Sequence, residues 1–201
     1  MAKKVRMKTK AELADPAFKN RGRSQGEVLG KSLAACDRLS KSRRGFVLDV
    51  AADNWVDRFE DFDNQKAFEK ESRVWAKKRK EFVGSVSKPL EIHCFTCNYN
   101  ADGGLKPLIE LVKNSACDAG TALRLFWIND PVYYSQYETI GDCSSEWEQE
   151  GKRLLRTIEQ RFKRDDFNFA KIYFDPSPWL TADDVDLDEL DLPKSMLSPV
   201  P

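Results

Sequence analysis

Residues 145–164 read SEWEQEGKRLLRTIEQRFKR, and this stretch decides the fold class. Ser145 followed three positions later by Glu148 is a capping-box pattern: the hydroxyl accepts from an early helix amide and the carboxylate reaches back to the cap amide. Trp147, Leu154, Leu155, Ile158 and Phe162 then mark one apolar stripe, with the charged residues on the other faces. A helix with one apolar stripe needs a second apolar surface to bury it, so the flanking sequence is read for partners.

Working toward the N-terminus, Asp118 is placed to cap a helix over 119–128 by accepting from the amide of Gly120 or Thr121, and Leu123, Phe126 and Trp127 form its core face. Before it, Pro107 sits in the first turn of a helix reaching about Lys113, apolar nearly all round through Leu105, Leu108, Ile109, Leu111 and Val112. Such a helix must be buried. Residues 98–104, NYNADGG, form a loop, and Pro89 opens a short helix from Leu90 toward Cys97. Over 64–83, Phe68, Trp75 and Phe82 recur every seven positions, which predicts an amphipathic helix stopped by Gly84, with the basic run 77–80 on its outer faces. Residues 46–62 space Phe46, Val50, Trp55, Val56, Phe59 and Phe62 as a helix that Asp53 and Asn54 could divide, and 25–39 carries a rougher helical face.

In the other direction, Val132, Tyr133, Tyr134 and Tyr137 suggest a short aromatic helix after Pro131. Residues 167–174 look extended, with β-branched and aromatic content closed by Asp175-Pro176-Ser177-Pro178. The expectation is a mainly α, compact multi-helix domain with one short extended or hairpin segment near the C-terminus. Three regions follow: a basic, mobile N-terminal segment 1–25, a single helical domain 26–180, and an acidic C-terminal tail 181–201.

The 201 residues fit one ordinary domain, and Lys plus Arg and Asp plus Glu both total 33, so no global charge advertises nucleic acid or membrane. The balance is not local. Residues 1–45 carry 13 basic against 4 acidic side chains, and 175–201 carry 1 against 7. The five cysteines are odd in number and irregularly spaced, which favours a reducing compartment over a disulfide framework. No export signal is expected from the basic start, and charges interrupt every apolar run before it could span a bilayer, so the chain is expected in the cytoplasm.

The motif Asn98-Tyr99-Asn100-Ala101-Asp102-Gly103, then Asn114, then Cys117-Asp118-Ala119-Gly120-Thr121-Ala122-Leu123 with Phe126-Trp127 a turn later, resembles the bacterial domain of unknown function 4274 over roughly residues 88–165. Ala101 stands where the family loop is expected to carry tryptophan. The resemblance implies a small bacterial cytoplasmic protein and brings no activity, cofactor or catalytic residue. Small soluble domains of this class are often met as immunity proteins of toxin systems. Read physically, the motif is structural: Asn100, Asp102 and Gly103 shape a loop, Asp118 caps, Gly120 admits a neighbouring backbone, Thr121 follows in the first turn, and Phe126 with Trp127 fills a core.

Chemistry-bearing patterns are sparse. His93, Cys94 and Cys97, with the isolated Cys117 and Cys143, are a poor match to zinc spacing, so no metal and no cofactor is expected and the thiols are read as buried small hydrophobes. Sequence adjacency gives His93 and Cys94 no useful dyad, no serine sits in a nucleophile elbow, and no glycine-rich phosphate loop follows a strand. The expectation is a non-enzymatic interaction module, immunity or antitoxin-like, that binds and neutralises a protein partner such as a basic toxin. Asp183, Asp184, Asp186, Asp188, Glu189 and Asp191 would bind it, interleaved with apolar anchors. One alternative is nucleic-acid binding through Lys3, Lys4, Arg6, Lys8, Lys10, Arg21 and Arg23; another is a metal- or thiol-dependent enzyme around His93 and Cys94.

Overall fold

A computed structural model describes residues 24–61, 63–181 and 190–201. The chain is mainly α, and among the described residues there is no strand. The helices are α1 (Gln25–Ala34), α2 (Lys41–Ala52), α3 (Gln65–Ser85), α4 (Pro89–Asn98), α5 (Lys106–Lys113), α6 (Ala119–Ile128), α7 (Pro131–Ser135), α8 (Glu146–Lys163) and α9 (Ser177–Leu180). None of the described helices is long and apolar enough to cross a membrane.

Helices α4 and α6 form the centre. Ile92, Cys94 and Phe95 of α4 and Leu123, Leu125 and Phe126 of α6 are almost wholly removed from solvent. Around them, α2 packs on α4, α8 on both α5 and α6, and a 3-10 turn over Ala35–Arg38, which continues α1, also lies against α4. Phe95 stacks between Phe82 of α3 and Tyr99, with ring centroids 5.3 and 5.2 Å away, so α3 is tied into the same core.

The extended stretch after α8 is sewn to the start of α6 by Asp118. Its Oδ1 accepts from the Gly120 amide at 2.8 Å and the Ile172 amide at 3.3 Å, and its Oδ2 accepts from the Lys171 amide at 2.8 Å. The Ala119 amide donates to the Phe169 carbonyl at 2.8 Å. The approach is so close that a Cβ on Gly120 would overlap the Ile172 carbonyl oxygen.

Several expectations need correction. The helix over 46–62 stops at Ala52, because Asp53 takes a left-handed conformation (φ 58°) and its carboxylate accepts from Trp55 Nε1 and Arg79. Arg79 also donates from Nε to the Val50 carbonyl at 2.5 Å, so one member of the basic run 77–80 serves as a cap for α2. Among the described residues no hairpin forms: Phe174 makes one antiparallel bridge with Val200, a residue too distant in the chain for a hairpin turn. The segment 181–201 is not wholly a tail. Met196 is fully buried and Val200 nearly so, and the Trp127 indole donates to the Met196 carbonyl at 3.2 Å, because these apolar residues, which follow the acidic ones, cover an edge of the core. The helix α3 runs through Gly84 to Ser85.

Trp147 is the remaining departure. Spacing alone assigns it to the apolar stripe of α8, yet it is 47% exposed. The buried face of α8 begins one turn later at Glu150 and Gly151, where the glycine leaves room for the Tyr134 side chain.

Candidate functional site

Two places gather side chains with chemical potential. The first is interior, where the 3-10 turn after α1 meets α4 and α6. Cys36, His93 and Cys97 bring their donor atoms within 4.8 Å of one another. His93 and Cys97 lie one helical turn apart on α4, and Cys97 Sγ is 3.4 Å from His93 Nε2. The Cys36 sulfur receives hydrogen bonds from the Cys94 and Cys97 thiols, which hold it well below the usual thiol range, while the same bonds and burial push Cys94 and Cys97 up.

The imidazole is fixed on both sides. Its Nε2 lies 2.8 Å from the Ser32 carbonyl, which can only accept, so this nitrogen carries the proton; Nδ1, 2.9 Å from Thr121 Oγ1, accepts from that hydroxyl. Burial lowers the His93 pKa and keeps the ring neutral. Arg124, one turn beyond Thr121 on α6, is buried with Nε and Nη1 unpaired. Its positive charge disfavours a proton on both His93 and Cys97.

The second place is the outer surface of α7 and the start of α8. Tyr133 and Tyr137 both donate to Glu148 Oε1, at 2.6 and 3.0 Å, and these bonds hold the Glu148 carboxyl below its usual range. Tyr133 is 42% exposed, as is nearly half of Trp147. Beside them a groove of about 440 Å³ runs between α7, α8 and residues 190–192, lined by Tyr134, Glu138, Lys152, Arg156 and Leu190 among others. Burial in this groove raises the Glu159 carboxyl.

Of the acidic residues proposed from sequence, Asp183, Asp184, Asp186, Asp188 and Glu189 lie outside the described residues, as does the basic segment through Arg23. Asp191 is described: it is exposed on the groove rim and pairs with Lys163 at 3.3 Å. The motif residues hold structural positions. Asn100 Oδ1 accepts from the Asp102 amide at 3.1 Å in a 3-10 turn, Ala101–Gly103; Thr121 orients His93; Phe126 and Trp127 meet edge to face with centroids 5.5 Å apart.

The thiols divide differently from their sequence grouping. Cys117 is buried on its own, with its pKa pushed up to about 12 by desolvation, and Cys143 lies beside α8; neither joins His93. Cys36 does, from 57 positions upstream, and no local spacing rule would have linked it to His93.

Residues 87–163 match the family model of DUF4274, a domain of unknown function. The matched segment takes in α4 through α8; α1, α2 and α3, with Cys36, lie before it. No curated protein and no solved structure matches the chain.

Proposed function

We propose that this chain, whose residues 87–163 form a DUF4274 segment, is a protein-interaction module of the immunity or antitoxin-like kind, docking and neutralising a basic protein partner on the α7–α8 face. The observation that supports it is the exposed pair Trp147 and Tyr133 on a surface edged by the carboxylates of Glu138, Asp142, Glu146 and Glu148. Tryptophan and tyrosine are the side chains that most often anchor protein interfaces, because each removes a large rigid area from water at small entropic cost. The carboxylates add attraction for a basic partner and a fast, salt-sensitive encounter. Asp191, the described member of the acidic set, stands on the rim of the adjoining groove.

The test is affinity capture from an extract of the source cells, comparing the native protein with Trp147→Ala and Glu148→Arg, followed by titration of the identified partner. A basic protein is retained by the native chain, and each variant weakens it by at least about tenfold, roughly 1.4 kcal/mol. Equal retention by the variants, or affinity indifferent to salt and to charge reversal at Asp191, removes the reading.

A further inference from the structure

The interior cluster has the composition of a metal site. Two thiols and an imidazole come from two separate parts of the chain, and their spacing suits a tetrahedral ion. Zinc–sulfur and zinc–nitrogen bonds of about 2.3 and 2.0 Å imply donor separations of roughly 3.5–3.8 Å. His93 Nε2 and Cys97 Sγ are already 3.4 Å apart, and the Cys36 sulfur lies within 4.8 Å of both. We propose that Cys36, Cys97 and His93 bind one zinc ion inside the fold, with Thr121 and Arg124 as its outer partners.

Two further features fit an ion. A buried guanidinium with two unpaired nitrogens is unfavourable unless an anion stands near it. The thiolates that Cys36 and Cys97 become on metal binding supply such anions. A disulfide among the same cysteines would be neutral and would leave Arg124 unpaired. The second feature is Thr121. When Nε2 takes the metal, the ring proton moves to Nδ1, and Thr121 Oγ1 at 2.9 Å becomes its acceptor, the arrangement that orients metal-bound imidazoles. The Ser32 carbonyl gives up Nε2 but keeps the Ala35 amide. The thiol protons leave to solvent as the metal enters. The ion would tie the turn after α1 to α4, joining a part of the chain outside the DUF4274 segment to a part inside it.

The experiment uses the full chain, reduced, stripped with a chelator, shown folded by circular dichroism, and titrated with Co²⁺ as probe and Zn²⁺ as competitor. One equivalent of Co²⁺ produces a thiolate charge-transfer band with tetrahedral d–d bands, and Zn²⁺ abolishes both. Thr121→Val preserves the band shape but weakens binding about 10- to 100-fold; Cys36→Ser weakens it further, and Cys143→Ser has no effect. In the native chain, Zn²⁺ also protects Cys97, the partly exposed thiol of the cluster, from alkylation, a readout that needs no variant to fold. The proposal is overturned by a folded native chain that gives no thiolate–cobalt band, by a band unchanged in Cys36→Ser, or by a Cys36 disulfide to Cys94 or Cys97 in zinc-free protein.

Discussion

Glu150 and Arg161, about three turns apart on α8, hold opposite ends of α5. Glu150 Oε2 accepts from the Leu105 amide at 2.5 Å, where α5 begins without a side-chain cap of its own. Arg161 Nη1 donates to the Val112 carbonyl at 2.6 Å and the Asn114 carbonyl at 3.1 Å, where it ends. The anion stands at the positive end of the helix dipole and the cation at its negative end. Each buried backbone group left unpaired costs about 1–3 kcal/mol. Glu150→Ala and Arg161→Met therefore each lower the unfolding free energy by at least about 1 kcal/mol in urea, and the double variant deviates from additivity because both act on one helix. Strict additivity would show that the two ends are held independently.

Gly120 and Gly30 should respond oppositely to the same change. A methyl at 120 overlaps the Ile172 carbonyl, so Gly120→Ala forces the extended stretch off α6 and destabilises by about 1–3 kcal/mol. A methyl at 30, inside α1, meets nothing within 4 Å, and Gly30→Ala stabilises by about 0.5–1 kcal/mol through helix propensity. Urea midpoints moving in the same direction for both would contradict this account.

Glu91 gives the fold an acid-sensitive joint. Its nearly buried carboxylate meets Arg43 at 2.6 Å and Lys88 at 3.5 Å, and the Arg43 hydrogen bond, against the effect of burial, holds its pKa below the ordinary 4.5. A carboxyl whose folded-state pKa lies under its unfolded value contributes fully above about pH 4.5 and loses that contribution as pH falls through the folded value. Stability profiles from neutral pH to about pH 3 should therefore be less steep for Glu91→Gln than for the native chain. Parallel profiles would assign the acid sensitivity to other groups.

Met196 plugs the core beneath Trp127. Met196→Ala, at a site with no exposure, should cost about 2–5 kcal/mol and alter the indole emission of the folded protein. A change below about 0.5 kcal/mol would mean that residues 190–201 only rest on the surface.

How far the sequence reached depends on where each residue's neighbours come from. The capping box at Ser145 and the cap at Asp118 are local chemistry, and both are legible because every partner lies within a few positions. The stripe of α8 is equally plain from Leu154 to Phe162, but periodicity counts spacing and not the extent of the opposing surface, so spacing assigns Trp147 to a buried face that begins one turn further along. Asp118 shows the same boundary within one side chain: its bond to Gly120 follows from spacing, whereas those to Lys171 and Ile172 depend on the return of the chain. Cys36 is the sharpest case. The pair His93 and Cys97 is visible in any scan, but Cys36 joins it only because the turn after α1 packs on α4.

The placement of Met196 and Val200 has a consequence for biosynthesis. The edge of the core that they seal, through Trp127 and Phe174, stays open until the ribosome has released residue 200. Everything from α1 to α8 can gather during translation, yet the last apolar edge closes only once residue 200 has emerged, and in that interval it is open to chaperones.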